Sequence, residues 1–490
     1  MTARDTTGRE PAVLGIDLGT NEVKAGLVTL DGRLLGLGRA GYPMAVGPGP
    51  GWAEQDPGAW WSAVVGAVRA LHPSSLGDVV AIGVDGHGPT LVAVDDRGEA
   101  TRAAITWLDT RATAEAEELA AASGVRGWAL GGLPAALWVE RHEPDTAAAT
   151  RWYLATWEWL AFRLAGVACA SLIPDQLVPE PSFGAAAGVP ASKLPSPGRT
   201  GERVGVLTAT AADALGLRSG IPVVGGTVDA FASYHGAGLR EPGDAFDPGG
   251  SAGGFGVYWD HEVDVPGGFV TPAPLAGLYS VGAAMAATGR ALDWYRDAIL
   301  GDTVTIDTLL AEAAATPPGA DGLVFLPYLA GERSPLWDPS ARGVFAGLTL
   351  AHGRGHLARA ILEASALAIR HVAVPMLAAG VRVTDMRTCG GPARSDAWNA
   401  IKADVTGFEV AVPSVLETAV LGSAILGAVG VGAHPDVRSA IGAMTSIDHR
   451  ISPDPATAAT YDRLFDAYVG LYPATAPILR TLTPSSGGPA

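Results

Sequence analysis

A short turn near the N-terminus carries residue types that are suited to phosphate binding. It runs from Asp17 to Asn21 with the sequence DLGTN, and apolar segments that read as strands flank it. Gly19 lets the backbone approach a ligand closely, so turn amides and the Thr20 and Asn21 side chains can bond phosphate oxygens. A carboxylate beside phosphates needs a cation, and Asp17 is therefore a candidate Mg²⁺ partner through water. An ordinary structural turn explains the same motif equally well.

One lysine follows this turn in the second strand. The chain has only three lysines, and Lys24 is the first of them. Two interpretations stay open for it: the ammonium group reaches the phosphates, or it is a solvated group on the strand.

A second glycine-rich turn, DPGGSAG from Asp247 to Gly253, lies in the other half of the chain. It offers a similar group of backbone amides for phosphate oxygens. Two such turns facing each other across a cleft would hold one polyphosphate between them. The two turns together predict a polyphosphate ligand.

An acidic residue follows a glycine turn at the end of a buried strand, in GGTVD from Gly225 to Asp229. Taken alone, Asp229 is more readily interpreted as a helix N-cap, whose oxygen accepts from free amides of the next helix. Near two phosphate turns it becomes a candidate general base for a hydroxyl nucleophile. Phosphoryl transfer needs such a base once the phosphates are positioned and their charge is neutralised.

Two generic motifs carry little weight. The GxGxxG pattern from Gly36 to Gly41 lacks the helix that a dinucleotide site needs at its third glycine, because Pro43 follows at once. The GxSxG pattern from Gly249 to Gly253 is followed by a strand rather than by the helix of a hydrolase nucleophile elbow. The Walker A motif is absent because the chain has no Gly-Lys pair.

The composition excludes several classes of function. The chain has 490 residues, of which 48% are hydrophobic and 17% charged, enough to bury cores in two or three domains. The formal charge of −17 and the absence of any basic run argue against nucleic-acid and anionic-membrane binding. The two cysteines, Cys169 and Cys389, are too few for a disulfide framework, which favours a reducing, cytoplasmic location. Their isolation in the sequence also argues against a structural zinc site. No transmembrane segment is expected, since the longest nearly uncharged stretch, around 275–288, is interrupted by glycine.

The elements that must position these residues alternate between strands and helices. Val13–Ile16, Val23–Thr29 and Leu34–Leu37 read as a three-stranded meander, and a helix that carries Trp60 and Trp61 follows. The first phosphate turn therefore lies between the first two strands of the meander.

The second half of the chain repeats this order, with a strand at Phe255–Trp259 and an amphipathic helix at Leu357–Leu377. Periodicity lapses around 239–248, so we place a boundary there, between a domain at 1–242 and another at 243–490. Strands that alternate with helices in both halves predict two α/β domains with an interdomain cleft.

Six ordered segments carry a family resemblance. They are DLGTNEVKAGLV (17–28), ITWLDTRA (105–112), GGTVDAFASYHGAG (225–238), GERSPLWDPSARGVFAGLTL (331–350), CGGPARSDAWNAIKADVTG (389–407) and ETAVLGSAILGAVG (417–430). These segments resemble the FGGY family of carbohydrate kinases, and within it the xylulokinase-like members. The similarity runs from about residue 13 to 432, so the motifs agree in order over most of the chain.

The resemblance implies an actin-like ATPase fold, in which two RNase H-like domains close on ATP and a sugar or polyol. It makes Asp229 the catalytic base at the sugar and includes Asp17 in the first phosphate loop. The residues that match nucleotide-binding positions are Gly19, Thr20 and Asn21 in the first loop, with Lys24 nearby, Gly250 and Ser251 in the second loop, and Gly390, Gly391 and Asn399 in the adenosine segment.

On the sugar side, the family's WxDxR segment matches Trp107, Asp109 and Arg111. A structural ion pair beside a packed indole explains these three residues equally well.

One departure from the family pattern concerns the acceptor. Xylulokinases usually read Gly-Gln-Met-His-Gly where this chain has Gly86-His87-Gly88-Pro89, so the sugar-contacting histidine is missing from its usual place. His87 falls one step earlier and either supplies a replacement donor, with Asp85 as a further candidate, or is a turn histidine without a ligand. We therefore expect a preferred substrate other than D-xylulose.

The sequence thus predicts an ATP- and Mg²⁺-dependent kinase that phosphorylates a hydroxyl of a small sugar, ketose or polyol. The alternative is a non-catalytic or chaperone-like ATPase, since the same fold hosts those, and a third interpretation is a phosphate-ester hydrolase. Asp229 together with the WxDxR segment favours the kinase, because a chaperone needs neither. The oligomeric state is open, with a homodimer as one option.

Overall fold

The computed structural model describes residues 10–43, 45–47, 49, 51–72, 79–172, 188–250, 252–301 and 303–482. The chain divides into two units. The first consists of Met1–Arg240, Ala273–Ala276 and Glu417–Ser446, and the second of Glu241–Pro272, Gly277–Leu416 and Ile447–Ala490. Each unit is built around its own central sheet with helices, so the expectation of two α/β domains is confirmed.

Short strands alternate with helices through both units. The strands are β1 (Ala12–Leu18), β2 (Glu22–Thr29), β3 (Leu34–Gly41), β4 (Ala45–Val46), β5 (Ala53–Gln55), β6 (Val79–Gly86), β7 (Val92–Val94), β8 (Ala104–Ile105), β9 (Trp152–Leu154), β10 (Cys169–Leu172), β11 (Ser196–Arg199), β12 (Arg203–Val206), β13 (Pro222–Val224), β14 (Thr227–Val228), β15 (Asp244–Asp247), β16 (Gly254–Trp259), β17 (Phe269–Pro272), β18 (Tyr279–Ala284), β19 (Val324–Leu326), β20 (Val344–Ala346), β21 (Asp385–Thr388), β22 (Val410–Pro413) and β23 (Ile447–Ile451). The α-helices are α1 (Pro57–Arg69), α2 (Thr113–Ser123), α3 (Leu133–His142), α4 (Pro144–Ala149), α5 (Thr156–Ala165), α6 (Ala209–Leu215), α7 (Asp229–Gly236), α8 (Arg290–Trp294), α9 (Ile306–Ala315), α10 (Arg354–Ala378), α11 (Asp396–Thr406), α12 (Thr418–Gly430), α13 (Val437–Met444) and α14 (Ala458–Leu482).

In the part of the chain that the structure describes, the sheet of the first unit has seven strands, in the order β12-β13-β6-β1-β2-β3 with β14 beside β6. Strands β1, β2 and β3 pair in antiparallel fashion, as the predicted meander requires. Strand β6 runs parallel to β1, and β14 runs parallel to β6. The carboxyl ends of three parallel strands therefore meet at one edge of this sheet.

Helix α12 lies directly on this sheet because glycines remove the side chains along its path. A Cβ atom at Gly83 on β6 would overlap the carbonyl oxygen of Ser423, and one at Gly15 on β1 would overlap that of Val420. The backbone of α12 therefore packs against β1 and β6, although the helix follows a long stretch of the second unit in sequence.

Aromatic side chains fill the core of the first unit. The helix predicted around Trp60 is α1, and Trp60 and Trp159 of α5 are both buried, with ring centroids 5.6 Å apart. Helix α5 ends at Gly166, whose φ of 72° provides the left-handed cap that glycine favours. These helices pack against the sheet that carries the candidate site residues.

The described residues of the second unit also form a seven-stranded sheet, in the order β17-β18-β16-β15-β21-β22-β23. Strand β15 pairs with β16 in antiparallel fashion and with β21 in parallel, which repeats the arrangement around β1.

The long helix predicted in the second half is α10. Among the described residues it is the one helix long and apolar enough to cross a membrane by length and composition, but 72% of its apolar window is buried inside the protein. Burial of this kind is what a core helix requires.

Candidate active site

Three carboxyl groups lie at the carboxyl ends of adjacent parallel strands in the first unit. Asp17 on β1 is paired in register with Asp85 on β6, and Asp85 is paired in turn with Thr227 on β14. Asp229 follows directly after β14. A Cβ atom at Gly226 would overlap the carbonyl oxygen of Val84, so the close approach of this segment to β6 requires glycine.

Asp229 is the first residue of α7, and its Oδ1 accepts a hydrogen bond from the amide of Ala230 at 2.7 Å. Among the described residues, Oδ2 has no hydrogen-bond partner. Burial, reinforced by the charge of Asp17, raises the pKa of Asp229 to about 7. The carboxyl group therefore combines a free acceptor oxygen with a pKa near neutrality.

Asp85 lies between the other two acids and is completely buried. The hydroxyl of Ser423 on α12 donates to Asp85 Oδ2 at 2.6 Å. Burial and the neighbouring charges of Asp17 and Asp229 raise the pKa of Asp85 well above its usual range. The surroundings of Asp85 therefore favour its protonated form.

Asp17 faces a group of charged side chains from β2, β3 and the start of α12. Lys24 Nζ lies 3.9 Å from Asp17 Oδ2, 3.5 Å from Glu22 Oε1 and 3.3 Å from Glu417 Oε2. Arg39 pairs with Glu417 and, at 3.1 Å, with Glu22. Burial raises the pKa of Asp17 despite the opposing charge of Lys24. Lys24 is therefore ion-paired with carboxylates in this structure.

This group of side chains has an excess of acidic residues. Its members are Asp17, Glu22, Asp85, Asp229 and Glu417 on the acidic side, and Lys24 and Arg39 on the basic side. Such an excess, with buried Asp17 at its centre, fits a divalent cation that keeps most of its waters and contacts few carboxylates. Among the described residues there is no set of three or more His, Cys, Asp or Glu side chains close enough to enclose a metal ion.

The first phosphate turn is tied down by its neighbours. The amide of Gly19 donates to Glu22 O at 3.1 Å, and the Tyr42 hydroxyl donates to Gly19 O. The Trp107 indole N–H donates to Thr20 Oγ1 at 3.2 Å. The turn, predicted to bind phosphate, and the WxDxR segment, predicted to lie on the sugar side, are thus in contact within the first unit. Asn21 is exposed at the tip of the turn.

Asp109 and Arg111 form a buried ion pair. Arg111 Nε lies 2.9 Å from Asp109 Oδ1, and Arg111 Nη2 lies 2.6 Å from Asp109 Oδ2. Arg111 also contacts Glu54 at 2.7 Å, and its guanidinium lies 3.6 Å from the centre of the Trp52 ring. The structural ion pair that the sequence analysis left open is therefore present.

The His87 ring packs edge-on against Trp60 in the core of the first unit, with centroids 5.1 Å apart. Its Nδ1 lies 3.1 Å from Thr90 Oγ1, and Nε2 has no partner among the described residues. Burial lowers the pKa of His87 to about 3, which keeps the ring neutral. The structure therefore places this side chain among core residues.

The residues matched to the second phosphate loop and the adenosine segment lie in the second unit. Gly250 is exposed, whereas Ser251 lies outside the described residues. Gly390 has a φ of 67°, and Gly391 beside it is exposed. Asn399 is completely buried and donates to Ala393 O at 2.9 Å, which braces the loop that precedes α11.

Glu417 and Ser423 contact the candidate site, although no motif in the sequence gave either of them a role. Both belong to the segment ETAVLGSAILGAVG, which entered only as part of the family resemblance. The sequence feature that could have identified them is a carboxylate and a hydroxyl in a segment composed mainly of small and apolar residues.

Comparisons with known proteins cover most of the chain. Residues 12–173 match the N-terminal domain of the FGGY family of carbohydrate kinases, and residues 256–431 match its C-terminal domain. The xylulose kinase of Escherichia coli strain K12 is 32% identical over 426 residues, which cover 81% of this chain and 85% of that protein. The gluconokinase of Bacillus licheniformis is 27% identical over 94% of this chain and 95% of that protein.

Solved structures show the same relationship. The crystal structure of a xylulose kinase from Rhodospirillum rubrum superimposes with a TM-score of 0.80 at 32% identity and covers 96% of this chain and 100% of that one. The predicted actin-like architecture of two α/β domains is therefore confirmed. By its sequence and its fold, the chain belongs to the FGGY family of carbohydrate kinases.

Proposed function

We propose that the protein transfers a phosphoryl group from ATP, with Mg²⁺, to a hydroxyl of a small sugar, ketose or polyol. The Asp229 carboxyl group carries the proposal, because its Oδ2 is unpartnered among the described residues and its pKa is raised to about 7. A general base works best when its pKa lies near the operating pH. Asp229 therefore suits proton acceptance from a substrate hydroxyl.

In the proposed reaction, the acceptor oxygen forms a bond to the γ-phosphorus of ATP. The bond from that phosphorus to the β–γ bridging oxygen breaks, ADP leaves, and the hydroxyl proton passes to Asp229. Such transfers depend mainly on positioning and on neutralisation of charge. Mg²⁺, when bound, neutralises phosphate charge, and Asp17 would hold it through water.

We assign nucleotide contacts to residues in both units. Gly19, Thr20 and Asn21 offer amides and side-chain oxygens, and the exposure of Asn21 leaves it accessible to a ligand. The corresponding residues of the second unit are Gly250, Ser251, Gly390, Gly391 and Asn399. Asn399 acts there by bracing the loop, because its side chain is buried.

The acceptor is proposed to be a small sugar, ketose or polyol other than D-xylulose. Gly88 and Pro89 supply no side-chain donor, and Pro89 also lacks a backbone N–H. Losing one hydrogen bond to a neutral hydroxyl costs about 0.5–1.5 kcal/mol, and an unsatisfied buried partner adds about 1–3 kcal/mol. Trp107 and its neighbour Trp128, with ring centroids 6.3 Å apart, are the candidate apolar surface for the acceptor. The side chains of His87, Asp109 and Arg111 are buried. They would therefore support this surface rather than contact the acceptor directly.

An assay of ADP release across pentuloses, hexuloses, polyols and aldonic acids tests this proposal. We expect release to depend on the acceptor, with kcat/KM for the best acceptor at least about tenfold above that for D-xylulose. D-xylulose as the best substrate would overturn the interpretation of Gly88 and Pro89. ADP release that no acceptor stimulates would instead favour the non-catalytic or chaperone-like ATPase.

The proposed location is the cytoplasm. The chain has only two cysteines, Cys169 and Cys389, and so low a cysteine content supports a reducing compartment.

A further inference from the structure

A buried carboxylate lies at the base of the second phosphate turn. Asp247 ends β15, and its side chain is 5% exposed. Its Oδ1 accepts from the amide of Gly249 at 3.0 Å, inside the turn itself. Its Oδ2 accepts from the Thr388 hydroxyl at 3.3 Å. Asp247 therefore shapes the turn from within, and its negative charge lies directly below it.

The cation that balances this charge is Lys402 on α11. Its side chain is 3% exposed, and Nζ lies 2.5 Å from Asp247 Oδ2 and 3.1 Å from Thr388 Oγ1. Two charges as deeply buried as these are tolerated only as a pair, since removal of one leaves the other uncompensated. The pair therefore neutralises a carboxylate that would otherwise repel an anionic ligand on the turn.

The same contacts join the two segments that the proposed function assigns to the nucleotide. Cys389 Sγ donates to Pro248 O at 3.1 Å. A Cβ atom at Gly249 would overlap the carbonyl oxygen of Cys389, so the two loops meet backbone to backbone. Lys402 extends this junction to α11, the helix that also carries Asn399 of the adenosine segment.

We propose that Lys402 is a positioning residue for ATP, which neutralises Asp247 so that the turn at 247–250 can accept a polyphosphate. This inference rests on the proposed function. If Lys402 has this role, nucleotide affinity depends on the net charge of Asp247 and Lys402. The dependence should be stronger for ligands that carry more phosphates.

The test measures dissociation constants of ATP, ADP and adenosine by calorimetry, without any sugar. Lys402→Met should weaken ATP binding by about 10- to 100-fold, ADP binding by less, and adenosine binding not at all. Asp247→Asn with Lys402→Met restores neutrality and should recover most of the ATP affinity. Asp247→Asn alone leaves a net positive charge and should bind ATP at least as tightly as the wild type.

Lys193→Met is the matched control, because Lys193 is also ion-paired, with Glu140 at 2.7 Å, but lies in the first unit. It should change none of the three affinities. An equal loss of ATP and adenosine binding in Lys402→Met, or a double variant as weak as Lys402→Met, would show that the pair is only structural. If Lys402→Met fails to fold, the other two variants carry the test. The ratio of ATP affinity to adenosine affinity must then be higher in Asp247→Asn than in the double variant.

Failure of this inference is separable from failure of the proposed function. A wild-type protein that binds no ATP would overturn both. A wild-type protein that binds ATP, together with a folded Lys402→Met variant of equal affinity, would overturn only the role of Lys402.

Discussion

The two units place an aspartate at the same point of the same sheet topology, but they neutralise it differently. Asp17 and Asp247 each lie at the end of a strand with one antiparallel and one parallel neighbour, and each is followed two residues later by glycine. The parallel neighbour places Asp85 opposite Asp17 and Thr388 opposite Asp247.

The difference is in the charge that surrounds each aspartate. Asp247 has a buried lysine within 2.5 Å. Asp17 has Lys24 at 3.9 Å, and that lysine is also shared with Glu22 and Glu417. The second turn is therefore neutral before any ligand binds, whereas the first keeps an excess of negative charge.

This contrast indicates which turn depends on an external cation. An acidic site that receives a polyphosphate needs a counter-charge from the solvent, and Mg²⁺ is suited to it. A site neutralised by its own lysine does not. We therefore expect metal dependence to follow the residues around Asp17 and not those around Asp247.

The largest expected effect is at Asp229, which has no counterpart assigned in the second unit. Asp229→Asn keeps the size of the side chain but removes proton acceptance, so turnover should fall by roughly 10²- to 10⁴-fold. ATP affinity, measured by calorimetry, should persist. Asp145→Asn, an exposed first-turn carboxylate of α4 in the same unit, is the control and should keep full turnover. An active Asp229→Asn enzyme would refute the assignment of the base.

The next effect separates the two aspartates. Asp17→Asn should raise the Mg²⁺ concentration for half-maximal rate by about 10- to 100-fold, as loss of an outer-shell partner typically does. Asp247→Asn should leave that concentration unchanged, because Lys402 and not a metal ion balances its charge. A titration of initial rate against Mg²⁺ at saturating ATP measures both. Equal shifts in the two variants would remove the contrast between the turns.

The local parts of this architecture could be predicted from the sequence. The meander and the turn at Asp17–Asn21 follow from strand periodicity and turn residues that are neighbours in the chain. The pairing of Ser423 with Asp85 could not be predicted in this way, because the two residues are 338 positions apart. Only the packing of α12 on Gly15 and Gly83 brings them together.

The burial of a side chain adds information that a sequence motif does not carry. The WxDxR pattern is compatible with a sugar contact or an ion pair, and a single motif does not show that Arg111 packs on Trp52. In the same way, the sequence around His87 does not reveal that its ring turns toward Trp60. The assignment of substrate contacts to these residues stays a prediction, which the acceptor assay and substitutions must test.

A smaller effect concerns pH. The raised pKa of Asp229, about 7, means that the group is mostly protonated below that pH and can then no longer accept a proton. At pH 6, kcat/KM should therefore be about one-tenth of its plateau at higher pH, with a tenfold fall per further unit. The residual rate of Asp229→Asn should lack this limb. A wild-type profile that is flat from about pH 5.5 to about pH 7.5, at saturating Mg²⁺, would contradict the assignment.

The smallest expected effect is at Asp85. Its substitution tests whether this carboxyl group, which lies beside Asp17, is neutral or charged. Burial favours the protonated form of Asp85 by raising its pKa, and Asp85→Asn offers a donor and an acceptor in the same place. Both kcat and the Mg²⁺ requirement should therefore stay within about threefold of the wild type. Ser423→Ala removes the hydroxyl that donates to Asp85 and should lower the free energy of unfolding by about 0.5–1.5 kcal/mol, without a change in metal dependence. If Asp85→Asn instead shifts the Mg²⁺ requirement as strongly as Asp17→Asn, then Asp85 is ionised in the working enzyme. The cation would in that case be shared by two carboxylates, Asp17 and Asp85. The first turn would then differ from the lysine-balanced turn of the second unit by two negative charges instead of one.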